Sequence, residues 1–297
     1  MSQSEQVQRF DLQAHSVYSD GELPPEQVVE AAAAAGVELL ALTDHDTIEG
    51  VPAALAAGAM HGIRVIPAVE ISAIDIDHQP ACELHILGYN IAHDASEVKA
   101  RLQSFVEDRR RRTLRMADAL RELGFALDEE AIEARVAAGR SIGRLHLAEG
   151  ALARPQNAER LRAEGIADVG DFIRAYLVEG TPAFRMRETP TIAEAVEMIH
   201  SAGGVAIWAH PFWDFEDAAD VEATIIRFQA LGIDGVEAFY ITHTAEQTAG
   251  IVKICEERQL LMTGSTDFHG PRNSIFSRFL GFKTYGFRPN LGPLAGS

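Results

Sequence analysis

Side chains that bind divalent metal ions recur along this chain at the ends of successive apolar segments. Residues two apart on an extended strand point to the same side, so Gln13 with His15, and Asp267 with His269, can each present two groups to one cavity. Mixed imidazole and carboxylate groups suit Mn, Fe or Zn better than Ca or Mg, and the shortage of thiolates argues against a structural zinc site. The full set of candidates is Gln13, His15, Asp20, Asp44, His45, Asp46, Glu70, His85, His210, Asp267 and His269.

A cluster of this size would hold more than one ion. Ions about 3.5–4 Å apart can clamp the attacking and leaving oxygens of an in-line displacement and make a water between them more acidic. A single His at a strand end is more often a hydrogen-bonded surface or core residue. Many charged groups at one end of separate strands are harder to explain as packing, because buried charges without a metal or partner are costly. The pattern therefore predicts metal-dependent hydrolysis of phosphate esters.

The segments that carry these residues alternate between short apolar runs and Ala-rich helical stretches. Pro24 and Pro25 suit the first turn of a helix, and Gly36 and Gly62 stand where helices would end before strands. Such alternation predicts an α/β fold with a parallel sheet, either barrel-like or doubly wound. Counting the apolar runs gives seven candidate strands. In a parallel barrel the carboxyl ends of the strands meet at one face, which would gather the candidate ligands.

A long, strongly charged helical pattern interrupts this alternation from about residue 95 to residue 187. The strand pattern resumes afterwards with GGVAIWAHP, GIDGVEAFY and QLLMTGSTDFHG. We therefore predict a metal-binding barrel formed by residues 1–94 and 188–297, and a helical insertion over residues 95–187 that caps the substrate site. The Gly- and Pro-rich tail suggests no function.

Composition limits the classes of partner. The chain has 297 residues, 47% of them hydrophobic, and a formal net charge of −18. This charge argues against adhesion to duplex DNA or to an anionic membrane surface. Cys82 and Cys255 are too few for a disulfide framework or a zinc cluster. Because no signal-peptide pattern and no apolar stretch of about 18 residues occur, we expect a cytoplasmic protein.

The motifs, in this order, resemble the polymerase and histidinol phosphatase (PHP) family. The matching segments are DLQAHS followed by SDG, LTDHDT, PAVEIS, ELHILGY, AHP and STDFHG. The segment SIGRLHLA resembles the subgroup that hydrolyses nucleotide phosphates, including the 3′-phosphate of nucleoside 3′,5′-bisphosphates and short RNA degraded from its 5′ end. Family membership implies a distorted seven-stranded barrel, in agreement with the strand count above.

Carried over residue by residue, the resemblance implies two or three divalent ions, with Mn expected and Fe or Zn as alternatives. The family commonly has His where this chain has Gln13, and an amide oxygen is a poorer ligand than imidazole for a transition metal. We expect Gln13 to change the occupancy or the metal preference of the first site. The implied ligands are His15, Glu70 and Asp267 for the first ion, Glu70, His85 and His210 for the second, and Asp20, His45 and His269 for the third.

Basic residues outside the ligand set are candidates for substrate contact. Arg144 is predicted to neutralise charge on the phosphoryl oxygens, because the guanidinium fork matches phosphate geometry. His243 or His146 could protonate the leaving oxygen or hold a phosphate, and Ser141 lies in the same segment as His146. A helix-capping or salt-bridge role for Arg144 is the alternative. The run of arginines at positions 109–112 is interpreted as a solvated helix face, with RNA contact as a second possibility.

Three functions remain open from the residues alone. The first is hydrolysis of nucleotide phosphates or short 5′-phosphorylated RNA, which the resemblance favours. The second is a phosphatase for histidinol phosphate or another small phosphomonoester, with the same metals. The third is a non-catalytic module that binds metal and ligand, which Gln13 makes conceivable. Oligomeric state is left open.

Overall fold

A seven-stranded sheet curls into a nearly closed barrel at the centre of the protein. The computed structural model describes residues 9–138, 142–188 and 190–296. Neighbouring strands follow chain order from β1 to β7, so the predicted α/β class and seven-stranded barrel are confirmed. The strands are β1 (Phe10–Asp11), β2 (Leu39–Leu42), β3 (Arg64–Asp75), β4 (Cys82–Tyr89), β5 (Val205–Trp208), β6 (Gly235–Tyr240) and β7 (Leu261–Ser265).

One strand departs from the predicted parallel sheet. β4 is antiparallel to both β3 and β5, whereas the other neighbouring pairs are parallel. The connection from β3 to β4 spans only residues 76–81, which is long enough for a hairpin but too short for a parallel crossover. The barrel closes after β1, where the His15 amide donates to the Phe268 carbonyl at 2.8 Å and the Leu12 amide to the Gly264 carbonyl at 3.2 Å.

Helices cover the outside of the barrel. Gly36 ends the first of them in the left-handed region, with φ of 83°, where a side chain would be strained. No helix in the described ranges is long and apolar enough to cross a membrane. The barrel helices are α1 (Pro25–Ala35), α2 (Val51–His61), α8 (Ile192–Ser201), α9 (Pro211–Asp214), α10 (Ala218–Ala230) and α11 (Ala245–Arg258).

The regular elements in the described residues between β4 and α8 are all helices, and Thr191 adds a single β-bridge to Ile74. Residues of α3 near its start, including Phe105, pack on the barrel core, whereas those near its end, including Met116, belong to a second core with Phe172. The segment therefore shares one long helix with the barrel core and has an apolar centre of its own. Its helices are α3 (Ser96–Glu122), α4 (Glu129–Ala137), α5 (Arg144–Leu152), a 3-10 turn (Pro155–Asn157), α6 (Ala158–Ala163) and α7 (Val169–Tyr176).

The C-terminal tail closes the end of the barrel where strands begin. Leu291 and Leu294 are buried in the cluster that fills the barrel interior. The Leu294 carbonyl accepts a hydrogen bond from Arg64 at the start of β3, and the Asn290 carbonyl accepts one from the Met262 amide in β7. The tail thus packs at the opposite end of the barrel from the ligand-bearing loops, a position its composition did not predict.

Replacing Phe172 with Ala should lower the free energy of unfolding by about 3–5 kcal/mol, because loss of a large buried ring leaves a cavity. Phe172 is fully buried and its ring centroid lies 5.1 Å from that of Phe125. Urea denaturation followed by circular dichroism measures the change. Phe287→Ala is the matched control, because that side chain is 36% exposed and its loss should cost no more than about 0.5 kcal/mol. Equal losses in the two variants would contradict the assignment of a second core.

Candidate metal centre

The predicted ligands converge on one cavity at the carboxyl ends of the parallel strands. His210 lies two residues after the end of β5 and Asp267 two residues after the end of β7, each with a left-handed backbone, φ being 31° and 53°. Non-glycine residues adopt this region rarely and at some cost, so such strain commonly marks a functional site. His85 lies in the first half of β4, and because β4 runs antiparallel, its early residues reach the same edge. The reversed strand therefore still delivers its histidine to the site.

Glu70 stands at the centre of the cluster. One of its oxygens, Oε2, lies 3.0 Å from His15 Nε2, which is also 3.1 Å from Asp267 Oδ1. The other, Oε1, lies 2.6 Å from His85 Nδ1 and 3.2 Å from His210 Nε2. Each oxygen thus belongs to a separate set of ligand atoms. This is the geometry expected of a carboxylate that bridges two cations.

A third set of ligand atoms surrounds Asp20. Its two oxygens each lie 3.5 Å from an imidazole nitrogen, Oδ2 from His45 Nε2 and Oδ1 from His269 Nε2. His15 Nδ1 is also 3.5 Å from Asp20 Oδ1, so this group touches the first one. The four residues offer atoms within 4.8 Å of one another, close enough to surround a single ion. The ligand atoms thus form three adjoining groups, but the second group differs from the predicted one, because His45 and not His210 is grouped with Glu70 and His85. His15 belongs both to the group around Asp20 and to the group with Glu70 and Asp267.

The hydrogen bonding of these atoms fits bound cations. Within the described part of the chain, several buried ligand atoms make no hydrogen bond of good geometry, although some lie close to one another as ion pairs; they include His15 Nε2, Asp20 Oδ1, His45 Nδ1, Glu70 Oε2 and Asp267 Oδ1. Buried polar atoms are rarely left in this state, because an unsatisfied group costs about 1–3 kcal/mol. Clustered, converging lone pairs of this kind are what a metal ion would satisfy.

The protonation of the cluster is coupled to cation binding. Burial alone raises the pKa of Glu70, but the neighbouring imidazoles reverse this and hold that pKa well below its usual range. Burial lowers the pKa of His45 to about 3, so its imidazole is neutral. In the other ligand histidines the nearby carboxylates overcome the effect of burial and raise the pKa. Because metal binds ionised carboxylate and neutral imidazole, cations would take the place of the protons that these histidines otherwise favour.

Gln13 is buried beside the centre but lies outside the three ligand groups. Its Oε1 accepts a hydrogen bond from Ser265 Oγ at 3.3 Å, and its Nε2 makes no hydrogen bond in the described residues. Ser265 Oγ also lies 2.5 Å from Glu237 Oε1. Burial raises the pKa of Glu237 to about 8, so its protonated carboxyl can donate to the hydroxyl that donates to Gln13. The amide therefore continues a chain of polar groups from Glu237 in β6 through Ser265 in β7 to the loop after β1. Its role as a metal ligand remains a prediction.

Asp44 and Asp46, which sequence reasoning grouped with the ligands, turn away from the centre. Asp44 accepts from both the amide and hydroxyl of Ser16, at 2.7 and 2.6 Å, and from the Ser19 hydroxyl at 2.6 Å. These bonds fix the loop that carries His15. Asp44 and Asp46 flank His45 in the sequence. They influence the centre by holding neighbouring residues in place.

Asp46 is also the anchor of two buried arginines. Its Oδ2 accepts from Arg109 Nε at 2.7 Å and from Arg187 Nη1 at 2.8 Å, and these charges lower the pKa of Asp46 to about 2 against the effect of burial. Arg187 also donates to Asp108 Oδ2 at 3.2 Å. An aspartate in the barrel is thereby tied to both ends of the helical segment. The signal in the sequence was weak, because Arg187 stands in no recognisable motif.

The interpretation of the arginine run as a solvated helix face is wrong for two of its members. Arg109 and Arg112 are buried, being only 7% and 2% exposed, and Arg112 pairs with the buried Glu83 at 2.8 Å. Arg111 does face solvent and pairs with Asp108. Helical periodicity places positions 109 and 112 on one face, which packs on the barrel. That packing cannot be seen from charge alone.

The cluster opens into a cavity of about 480 Å³ that the insertion helps to enclose. Arg144 lines it and lies 3.4 Å from Glu83, with its side chain 30% exposed. Arg109 lines the cavity as well and lies close to Gly143. A Cβ atom added at position 143 would be 3.2 Å from the Arg109 guanidinium. The lining further includes ligand residues, the aromatic rings of Phe184, Trp213 and Phe276, and the Tyr240 ring. Two cationic groups therefore face the same space as the metal ligands.

The remaining predicted substrate contacts do not line the described wall of this cavity. Burial lowers the pKa of His146 and of His243 to about 4 in each case. His146 Nδ1 accepts from the Gly143 amide at 3.1 Å, and the side chain borders a separate cavity beside Arg135. His243 Nδ1 lies 3.2 Å from the Ala238 carbonyl. Ser141 lies outside the described residues, and the substrate roles of all three stay predictions.

Tyr240 is a cavity residue that sequence reasoning missed. Its hydroxyl donates to Asp267 Oδ2 at 2.8 Å, which leaves Oδ1 of the same carboxylate directed at His15. A hydrogen bond from a buried tyrosine orients a ligand carboxylate and is commonly found behind metal sites. The only sequence signal was a tyrosine at the end of an apolar run.

Comparison with known proteins gives one family. The PHP domain model matches residues 11–132. Among curated proteins, the chain is 34% identical over 266 residues to a 5′-3′ exoribonuclease of Haemophilus influenzae, covering 89% of this chain and 91% of that one. It is 30% identical to a phosphoribosyl 1,2-cyclic phosphate 1,2-diphosphodiesterase of Eggerthella lenta, covering 88% and 94%. It is 31% identical to a 3′,5′-nucleoside bisphosphate phosphatase of Chromobacterium violaceum, covering 88% and 87%.

A solved structure agrees with these relatives. An amidohydrolase from Chromobacterium violaceum, crystallised with sulfate and without metal, superimposes with a TM-score of 0.76 at 29% identity. The match covers 96% of this chain and 93% of that one, so it includes both the barrel and the helical segment.

Replacing Glu70 with Gln should release most of the bound metal, because the change removes the charge shared by two of the ligand groups. The measurement is the metal content of protein reconstituted with Mn and then desalted, determined by inductively coupled plasma mass spectrometry. Glu257→Gln on the exposed face of α11 is the matched control and should keep the wild-type content. A full complement of metal in the Glu70 variant would mean that the centre is not organised around this carboxylate.

Proposed function

The chain belongs to the PHP family and is a metal-dependent phosphoric ester hydrolase, and from this premise we propose that it removes the 3′-phosphate from nucleoside 3′,5′-bisphosphates. We include short 5′-phosphorylated RNA as a second substrate, because the relative at 34% identity is a 5′-3′ exoribonuclease. The other two relatives reported above also act on ribose phosphates, one of them a cyclic diester. The names of all three relatives thus indicate substrates that contain both ribose and phosphate.

One observation carries the proposal most directly. Three adjoining groups of ligand atoms share a cavity with two cationic side chains, Arg109 and Arg144. A phosphoryl group gains charge on its oxygens during transfer, and cations held in a partly dry site stabilise that charge most strongly. The arrangement supports cleavage of a phosphate ester in preference to binding alone.

Mn is the metal we propose, bound by the three ligand sets predicted from the resemblance. The donor set of five imidazoles and three carboxylates suits Mn, Fe or Zn. Bound ions would supply Lewis-acid neutralisation of phosphoryl charge and a more acidic water. Glu70 holds the first two sets together, and Asp20 supplies the carboxylate of the third.

The chain's own residues orient the ester around this centre. Arg144 reaches the cavity from the first turn of α5, and its partner Glu83 is fixed from the other side by Arg112. Arg109 is held by Asp46 and by the Ser72 hydroxyl, so its guanidinium is rigid before substrate arrives. Preorganised donors of this kind stabilise the transition state without rearranging during the reaction. We propose that residues 95–187, which contribute both arginines, act as the substrate cap.

The two cysteines support the predicted cytoplasmic location. Both are free thiols, and burial raises the pKa of each to about 12. Such thiols are poorly reactive, and a protein without disulfides is stable in a reducing compartment.

The decisive test is phosphate release by metal-stripped protein restored with Mn. Adenosine 3′,5′-bisphosphate should be hydrolysed fastest, to AMP and phosphate, in a panel with histidinol phosphate, a short 5′-phosphorylated RNA and phosphoribosyl 1,2-cyclic phosphate. Glu70→Gln should reduce the rate by about 100-fold or more, since even residues behind a metal ligand cost 10- to 100-fold when changed.

The outcomes separate the three open functions. Turnover of RNA to mononucleotides would extend the activity to exonuclease action. Activity confined to histidinol phosphate would overturn the nucleotide proposal. No turnover of any substrate by protein shown to contain Mn would favour the non-catalytic module.

Replacing Arg144 with Ala should raise KM for the bisphosphate about tenfold or more, because a charge-assisted hydrogen bond to phosphate is worth about 1.5–3 kcal/mol. The measurement is steady-state kinetics on the Mn-loaded protein. Arg174→Ala, which removes an arginine 70% exposed on α7, is the matched control and should leave KM unchanged. An unchanged KM in the Arg144 variant would remove this residue from the substrate site.

A further inference from the structure

Two aromatic rings stand at the mouth of the metal cavity. Trp213 is 53% exposed although it lines the cavity, and its ring centroid lies 5.4 Å from that of Phe276, with the planes at 62°. Such an edge-to-face contact holds the indole from one side and leaves another part of its surface open. A large exposed aromatic surface in a concave site is the kind of feature that marks ligand binding.

Both rings are positioned by hydrogen bonds to residues of the metal centre. The Trp213 amide donates to the His210 carbonyl at 2.8 Å. On the other side, the His269 amide donates to the Phe276 carbonyl at 2.9 Å, and the Phe276 ring lies 5.6 Å from the His269 ring. Each aromatic residue is thus connected through the backbone to a candidate ligand. Their position relative to the ligand residues is therefore set by the same loops that form the centre.

The loop that carries Phe276 is itself ordered by a cavity residue. Asn273 Oδ1 accepts hydrogen bonds from the Ile275 amide at 3.0 Å and the Phe276 amide at 2.9 Å. This turn holds the ring in place before any ligand arrives. A preorganised aromatic surface binds a flat ligand with little loss of conformational freedom.

We propose that Trp213 is the stacking surface for the nucleobase of the substrate, with Phe276 as its support. The inference rests on the proposed function, because it places the base beside the cavity in which the phosphate is cleaved. Every nucleobase has a flat π-face, so stacking of this kind selects nucleotides over other phosphate esters without selecting among bases. The cavity would thereby bind phosphate through its arginines and base through its aromatic rim.

A protein or lipid surface is a less suitable occupant. The exposed indole lies in the same cavity as Glu83, Asp214 and the metal ligands, which a lipid chain would have to desolvate. The chain also carries a net charge of −18, which disfavours an anionic membrane. A small, flat and polar-edged ligand fits both the ring and its charged surroundings.

The sequence provides a spectroscopic test, because the protein has two tryptophans and the other one, Trp208, is fully buried. AMP, the product of the proposed reaction, is titrated into Mn-loaded protein while tryptophan fluorescence is recorded. We expect AMP to quench the fluorescence and ribose 5-phosphate, which lacks the base, to leave it nearly unchanged. Trp213→Phe should remove the quenching while retaining most of the AMP affinity measured by calorimetry.

Loss of the ring gives the energetic test. Trp213→Ala should weaken AMP binding about tenfold or more, within the range for loss of one stacked base, and should leave the affinity for ribose 5-phosphate unchanged. Phe276→Ala should weaken AMP binding in the same direction. Phe287→Ala, an exposed aromatic outside the described cavity wall, should bind AMP as the wild type does.

Several results would contradict the proposal that Trp213 is the stacking surface. Equal quenching by AMP and ribose 5-phosphate, undiminished quenching in Trp213→Phe, or an equal loss of both ligands in Trp213→Ala would each do so. The proposed function fails by a different measurement, namely absence of phosphate release from the bisphosphate. Base-dependent quenching in a protein that releases no phosphate would support the stacking role of Trp213. It would refute only the proposed removal of the 3′-phosphate.

Discussion

An ionised carboxylate buried at the centre of the barrel is the constraint on which the site depends. Glu70 is 1% exposed, and a charge in such surroundings must be balanced by partners or ions. Its two oxygens face different groups of imidazoles, and some of the surrounding ligand atoms have no hydrogen bond. Strand ends, left-handed backbone at His210 and Asp267, and the reversed β4 all serve to bring partners to this one group. Metal binding is the arrangement that satisfies them together.

A second buried charge couples the barrel to the helical segment. Asp46 receives Arg109 from α3 and Arg187 from the return to the barrel, and all three side chains are almost inaccessible to solvent. Removing one partner of such a network leaves an uncompensated charge, which is more costly than the network is stabilising. Because Arg109 also lines the cavity, the bond that fixes the segment on the barrel fixes a candidate phosphate contact as well. Packing of the helical segment on the barrel and assembly of the site are therefore linked through one aspartate.

Different parts of the cavity wall carry different kinds of side chain. Ligand side chains lie at its base, the arginines enter from the helical segment, and the exposed indole of Trp213 stands on the loop after β5. Phosphate, cation and a flat apolar ring can each meet a matching surface within one space.

Local sequence determined the alternation of strands and helices, the glycine that ends α1, and which residue types could bind metal. It did so because helix caps, hydrophobic periodicity and ligand chemistry depend on near neighbours. Tertiary structure decided the rest: β4 runs antiparallel, Arg109 is a buried cavity residue, and His243 lies outside the described cavity wall. These depend on which surfaces pack together across long sequence separations. A short charged run looks the same to sequence reasoning whether its helix face meets solvent or the barrel, since only packing determines the dielectric around each charge.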